Sequence, residues 1–391
     1  MLSRCIARTI AMLSITACAA GSASAQNTLK VGMVMPMTGA LAAAGRQVVA
    51  GARLYMKQHG DMVAGRQIEL VVKDGASSGE TGKRFLQELI VNEKVDIIGG
   101  GLTADLLAGA SLITEAQKPT VIMLSSTTAV VGRSPYFVRT SCTLAQSSGI
   151  MADWAIKSGL GKAITLVSEF APGLEAEATF ANNYKAAGGQ IADMIRVPLR
   201  SPDFAPFLQR VRDGAPQVLF VFIPSVQAAT FAKQFVERGL DKAGIKLVGP
   251  GDLTDDEALA NMGDAMLGAV TAHFYSTAHP SPLNKAFADA YQKENNTRAN
   301  FMAVSGYDGM QVIYEALKKK KTGGSADGKA LISAMKGSAW ESPRGPMSID
   351  RETGEVVHNI YIRRVEKADG ELRNVEFATF SNVRDPRVAA K

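Results

Sequence analysis

Cysteine is scarce in this 391-residue sequence, which contains three, and two of them, Cys5 and Cys18, lie at its very start. If a leader is removed there, Cys142 alone remains, so hydrophobic cores rather than internal disulfides must stabilise the chain. Cys142 has no histidine nearby and is expected to be a buried small residue. The four histidines are never spaced at i, i+4 with a second ligand, so no zinc site, metal or cofactor is expected.

Long hydrophobic runs are absent after the N-terminus, so no later segment is predicted to span a membrane. Residues 1–25 have the pattern of a signal peptide: Arg4 and Arg8, an apolar stretch over 10–20, and Ala-Ser-Ala before Gln26. The alternative is a lipoprotein site in which Cys18 is acylated. Both imply export, and cleavage after Ala25 predicts a periplasmic protein.

The chain also lacks a strong charge of one sign. Removing Arg4 and Arg8 with the leader lowers the formal charge from +6 to +4, and this excess is spread along the sequence. A nucleic-acid partner is therefore not expected.

Short apolar runs alternate with helical patterns through most of the chain. Strand-like runs such as LKVGMVM, QIELVVKD and VDIIGGG are followed by a second series that includes KAITLVS, QVLFVFIP and IKLVGPG. Near-continuous apolar strands separated by helices predict parallel sheets covered on both faces. The two series have a similar layout, so we predict an α/β fold of two doubly wound lobes, followed after residue 342 by β-hairpins.

Motifs for chemistry are weak. Gly75 to Gly79 match G-x-S-x-G, which makes Ser77 a candidate nucleophile of an exported hydrolase, but no orienting acid or oxyanion loop stands out. Gly99 to Ala104 fit G-x-G-x-x-A, yet the next strand ends in serines and threonines instead of the acid a dinucleotide needs. The acids at 252–257 precede a helix, where they suit capping.

Loops rich in glycine and hydroxyl side chains recur at predicted strand ends in both halves. They include 38–45, 101–103, 125–128, 169–173, 224–225 and 249–252. In open α/β sheets such loops line the crevice at the carboxyl ends of the strands. Two lobes that face each other across this crevice would enclose a small ligand.

At this point the sequence resembles a substrate-binding protein of a bacterial ABC importer, of the leucine/isoleucine/valine-binding type. The resemblance covers nearly the whole mature chain, from LKVGMVMPMTGALAAAGRQ through YFVRTSCTLAQ, LVSEFAPG, FVFIPSVQAATFAKQF and GYDGMQVIYEAL to GPMSID. It implies a type I periplasmic binding fold with a three-crossover hinge, a monomer, and membrane permease and ATPase subunits as partners. The implied bounds are 27–142 plus 275–340 for one lobe and 143–274 plus 341–391 for the other.

The resemblance also implies the ligand site. Hydroxyls and amides of the first lobe would hold a carboxylate, and a lobe-two aromatic would cover the ligand. Ala44 stands where relatives often carry an aromatic residue, and the acid for an amino group falls near Asp252, one residue late. An amino acid and a non-amino aromatic or aliphatic carboxylic acid therefore both remain open. The predicted ligand-binding residues are Ala44, Arg46, Thr103, Ser126, Thr128, Phe170, Ser225 and Asp252.

A non-catalytic transport receptor is the leading prediction, and no catalytic residue is expected. The alternatives are an exported hydrolase that uses Ser77 and a ligand-sensing receptor of the same fold. A sensor fused to its own signalling domain would need a membrane span, which the sequence does not show.

Overall fold

A computed structural model describes residues 28–200, 203–319, 327–368 and 370–389. The predicted signal peptide and the alternative acylation site at Cys18 lie outside these residues. No helix in the described ranges is long and apolar enough to cross a bilayer.

The first sheet has six strands in the order β2-β3-β1-β4-β5-β6, and all its pairings are parallel except that of β2 with β3. Apolar runs form its buried strands, as the sequence predicts, and helices cover it. The strands are β1 Thr28–Met35, β2 Met62–Val63, β3 Arg66–Asp74, β4 Ile97–Gly100, β5 Thr120–Ile122 and β6 Phe137–Arg139. The helices between them are α1 Ala42–His59, α2 Gly79–Val91 and α3 Thr103–Glu115.

The second sheet has nine strands in the order β12-β13-β14-β11-β10-β9-β7-β8, with β15 paired to β14. Its strands are β7 Lys162–Ser168, β8 Gln190–Val197, β9 Val218–Phe222, β10 Lys246–Pro250, β11 Val270–His273, β12 Ala339–Ser342, β13 Gly345–Ile349, β14 Val356–Ala368 and β15 Glu371–Val383. The helices of this part are α4 Leu144–Lys157, α5 Ala171–Ala186, α6 Ala205–Gly214, α7 Ser225–Glu237 and α8 Asp256–Leu259. Cys142 is buried in its core, as expected. The predicted C-terminal hairpins are present as β12 to β15.

Three further α-helices, α9 Pro282–Asn295, α10 Phe301–Lys319 and α11 Gly328–Met335, follow β11, and α12 Pro386–Ala389 is the last. Helix α10 belongs to both cores: Phe301 packs with the second sheet, whereas Met310 and Ile313 pack with the first. We call each sheet with the helices packed on it the first and the second lobe.

The chain passes between the lobes three times, after β6, after β11 and after α11. The core of the first lobe and the second sheet are therefore each built from non-contiguous segments. The residue bounds of the lobes at 142/143, 274/275 and 340/341 stay a prediction. Ile349, for example, packs in the core of the first lobe, although it follows the last predicted boundary.

Candidate ligand-binding site

A cleft of about 250 Å³ lies where the strand ends of the two lobes face each other. The first lobe and α10 contribute Ala40, Leu41, Ala43, Ala44, Gln47, Leu102, Thr103, Leu124, Ser125, Ser126 and Met302. The second lobe contributes Phe170, Pro172, Phe222, Pro224, Ser225, Val226, Asp252, Asp255, Glu257, Ala258 and Asn261. In the part of the chain that the structure describes, no lysine, arginine or histidine lines the cleft.

A cluster of hydroxyl groups forms the first-lobe end of the cleft. The Thr103 Oγ1 atom lies 2.7 Å from Ser125 Oγ, and Ser126 follows on the same loop. Thr103 is the first residue of α3, and the N–H groups in the first turn of a helix have no partner within it. We call Thr103, Ser125, Ser126 and this helix end the hydroxyl cradle; it can bind an anion through neutral donors.

The turn before the cradle depends on glycine. Gly100 and Gly101 have φ of 84° and 85°, a left-handed conformation that L side chains rarely adopt. Behind them, Leu102 N–H donates to the buried Asp105 carboxylate at 3.2 Å, which fixes the start of α3. Burial raises the pKa of Asp105 to about 6.

An apolar slot forms the middle of the cleft. The rings of Phe170 and Phe222 stack with centroids 5.9 Å apart and planes 19° apart. Opposite the second-lobe residues, Ala44 contributes only a methyl group, which leaves room. Phe170 is positioned by the close approach of α5 to β7, since a Cβ on Gly173 would lie 2.0 Å from the Ser168 carbonyl oxygen. A flat, aromatic-lined slot of this kind suits a planar apolar group.

Asp252, Asp255 and Glu257 form what we call the acidic wall, on the second-lobe side. Burial raises the pKa of Asp252 to about 7 and that of Asp255 to about 8, the latter also because Asp256 lies nearby. Asp255 caps α8 by accepting from the N–H groups of Glu257 and Ala258, as the sequence predicts for these acids. Gln47 Nε2 donates to Glu257 Oε2, which joins the two lobes across the cleft.

The structure brings most of the predicted site residues together. Those that line the cleft are Ala44, Thr103, Ser126, Phe170, Ser225 and Asp252. Arg46 does not line it: its side chain lies in a separate groove on the other side of α1, where Nη1 is 3.4 Å from the Met37 carbonyl oxygen. Two residues along a helix turn the side chain by about 200°, so Ala44 and Arg46 face opposite ways.

Thr128 also lies outside the cleft lining, contrary to its predicted place. Its N–H donates to Glu175 Oε1 at 3.0 Å, and its hydroxyl lies 2.6 Å from Asp385 Oδ2. The loop after Ser126 therefore turns toward α5 and the C-terminal segment rather than toward the cradle.

Several cleft residues were missing from the predicted set. Gln47 lies one turn from Ala43 and Ala44 on α1, so the helical period could have identified it. Phe222 ends strand β9, and its place at a carboxyl end was a usable signal. Glu257 was not predicted as a cleft residue because helix capping already explained the acidic residues around it.

The candidate nucleophile Ser77 lies in the loop before α2 with φ of 58°. Its hydroxyl is buried and has no hydrogen-bond partner in the described ranges. Among the described residues no histidine bonds to it: His279 pairs with Glu376, and His358 contacts Arg344 and Gln146. The described residues also contain no cluster of potential metal ligands.

Comparisons with known proteins agree with this architecture. A solute-binding protein of an ABC transporter from Rhodopseudomonas palustris BisB5, solved with 3,4-dihydroxybenzoic acid, is 56% identical with a TM-score of 0.90, over 93% of this chain and 99% of that one. A second such protein, from strain HaA2 and solved with p-hydroxybenzoic acid, is 36% identical with a TM-score of 0.89, over 93% of this chain and 100% of that one. The Leu/Ile/Val-binding protein homolog 6 of Brucella suis is 38% identical over 95% of this chain and 96% of its own length. The family model described as periplasmic binding protein matches residues 28–371, and the chain belongs to this family.

Proposed function

We propose that this protein is the solute-binding component of an ABC importer and that it captures an aromatic carboxylic acid in the cleft between its lobes. It would act in the periplasm, where the signal-peptide pattern of residues 1–25 would direct it, and would deliver its ligand to a membrane permease driven by an ATPase. The two structural relatives described above are themselves ABC solute-binding proteins with hydroxylated benzoic acids.

One observation carries the choice of ligand: the cleft combines an anion-binding hydroxyl cradle with a flat aromatic slot. A carboxylate fits the Thr103 end, because helix N–H groups and hydroxyls can stabilise it without a counter-charge. A planar ring fits beside the Phe170 and Phe222 rings, in the space that Ala44 leaves.

A branched-chain amino acid is the second candidate, since the acidic wall could pair with an ammonium group. A branched aliphatic side chain would, however, use the flat slot poorly. A thermal-shift screen of ligand-free protein with benzoate, 4-hydroxybenzoate and leucine separates the two. A ligand at 100 times its dissociation constant should add about 2.7 kcal/mol to the stability. We expect a shift with the benzoates; a shift with leucine alone would overturn the aromatic assignment.

The role of the cradle can be tested with Thr103→Val, which keeps the shape and removes the hydroxyl. Loss of a hydrogen bond to a charged group costs about 1.5–3 kcal/mol, so the affinity for benzoates should fall by about 10- to 100-fold in calorimetry. Thr114→Val is the matched control, because Thr114 lies on the same helix and bonds to Ala110 and Ser134 instead of lining the cleft. Equal losses in both variants would contradict the cradle.

A receptor role also implies that Ser77 performs no hydrolysis. Esterase activity of the purified protein that Ser77→Ala abolishes would refute it.

A further inference from the structure

We propose that Asp252 is a specificity determinant that recognises a hydroxyl group on the ring of the bound acid, at the position opposite its carboxylate. This inference rests on the proposed function and specifies the ring substituent by which the protein would distinguish one aromatic acid from another. Asp252 lines the cleft from the second lobe, whereas the hydroxyl cradle belongs to the first.

The distribution of charge in the cleft sets the direction of the ligand. All three charged side chains that line it among the described residues are acids, and all belong to the acidic wall. A ligand carboxylate at this wall would meet three acidic side chains and no cationic partner, whereas the cradle offers uncharged donors. The carboxylate therefore belongs at the cradle, and the far end of the ring faces the acidic wall.

Asp252 is the member of the wall with the most unused acceptor capacity. Both oxygens of Asp255 are occupied, one by two backbone N–H groups and the other by Asn300 Nδ2 at 3.0 Å. Glu257 accepts from Gln47 at Oε2, so one of its two oxygens is used. In the described part of the chain no other residue donates to the Asp252 carboxyl, which has a hydrogen bond only from its own backbone and is more than half buried. A largely buried acceptor with so few donors is unfavourable, so a ligand that brings an O–H group gains over one that does not.

The loop that carries Asp252 is held tightly, as a specificity determinant requires. A Cβ on Gly249 would lie 2.3 Å from the Val221 carbonyl oxygen, and one on Gly251 would lie 2.2 Å from the His273 ring. The two glycines therefore allow the end of β10 to lie directly against β9 and β11. Asp252 cannot move far to follow a hydroxyl elsewhere on the ring.

The ligands for the test differ only in the hydroxyl. In 4-hydroxybenzoate the O–H points away from the carboxylate, toward Asp252, whereas in 2-hydroxybenzoate it lies beside the carboxylate. 4-Methoxybenzoate keeps an oxygen at the far position but has no proton to donate. By calorimetry, 4-hydroxybenzoate should bind the wild-type chain about 10- to 100-fold more tightly than benzoate, 2-hydroxybenzoate or 4-methoxybenzoate.

The variant Asp252→Leu should bring the affinities for 4-hydroxybenzoate and benzoate within about threefold of each other. Asp252→Asn, which retains an acceptor oxygen and fits the same space, should keep part of the preference and covers the case in which the leucine variant does not fold. Asp241→Leu, on an exposed turn of the same lobe, is the matched control and should keep the full preference. An equal affinity of the wild type for benzoate and 4-hydroxybenzoate, or a preference that survives in Asp252→Leu, overturns the inference. If no benzoate binds at all, the proposed function itself has failed.

Discussion

Replacing Arg344 with methionine should destabilise the protein strongly, because this side chain joins all three passages between the lobes. Its fully buried guanidinium donates from Nε to Asp308 Oδ2 at 2.7 Å and from Nη2 to the carbonyl oxygen of Thr140, in the first passage. It also lies 4.4 Å from the centroid of the Phe274 ring, in the second passage. Arg344 itself lies just after the third passage, in the turn between β12 and β13.

The magnitude follows from what Arg344→Met leaves behind. Asp308 is fully buried, and the loss of its cation leaves an uncompensated buried charge, which costs about 3–5 kcal/mol in comparable pairs. Burial already raises the pKa of Asp308 and Arg344 lowers it, so the variant's Asp308 has a still higher pKa. Protonation then relieves the charge, and the loss should shrink as the pH falls.

Urea unfolding followed by circular dichroism measures this loss, at pH 7.5 and at pH 5. In the double variant with Asp308→Asn no unpaired charge remains, so its loss should be clearly smaller than the sum of the two single losses. Lys285→Met breaks an exposed pair with Asp289 and should change little. A loss below about 1 kcal/mol for Arg344→Met at pH 7.5, within the range of ordinary single substitutions, would refute the assignment of Arg344 as the link between the passages.

Two further predictions concern buried positions on α3 and α1, the helices that border the cleft. Burial raises the pKa of Asp105 in the folded state from 3.8 to about 6. Between about pH 4 and pH 6 the folded state therefore binds more protons than the unfolded state, so the free energy of unfolding falls as the pH rises through this range. Asp105→Asn should remove that fall and add up to about 3 kcal/mol at pH 7.5 but little at pH 3.5, as urea unfolding at both pH values can check. Gly51→Ala should lower the free energy of unfolding by about 1–3 kcal/mol, because the added Cβ would lie 1.8 Å from the Ala303 carbonyl oxygen on α10. Gly132→Ala is the control, since its Cβ would meet no described atom within 4 Å. Equal melting temperatures of the two variants would contradict the close contact between α1 and α10.

The sequence was sufficient for the strands and for the general place of the site. The buried runs of β1 and β9 are nearly continuous in apolar residues, and the loops that line the cleft follow from the rule that parallel strands present their carboxyl ends to a common crevice. Thr103, Phe170 and Asp252 each follow such a strand, and all three line the cleft.

Long-range contacts explain why the position of Thr128 could not be predicted from the sequence. Thr128 is held by Asp385, which is 257 residues away in the chain, so nothing near it in the sequence indicates that it turns away from the cleft. Arg46 is a different case, since its helix was predicted and the helical period alone separates its face from that of Ala44. For the acids at 255–257, helix capping was a correct but incomplete explanation, because Asp255 both caps α8 and lines the cleft.

The open space beside Ala44 in the cleft arises from how α1 meets the end of β1. A Cβ on Gly45 would lie 2.2 Å from the Pro36 carbonyl oxygen, so glycine allows the helix to lie directly against the end of the strand. The Asp74 carboxylate fixes the intervening loop by accepting from the N–H groups of Met37 and Thr38. Ala44 is then held at a set position with a side chain too small to fill the slot. A larger residue at 44 could not move back with the helix, so this position should set the size of ligand that the lobes can close on.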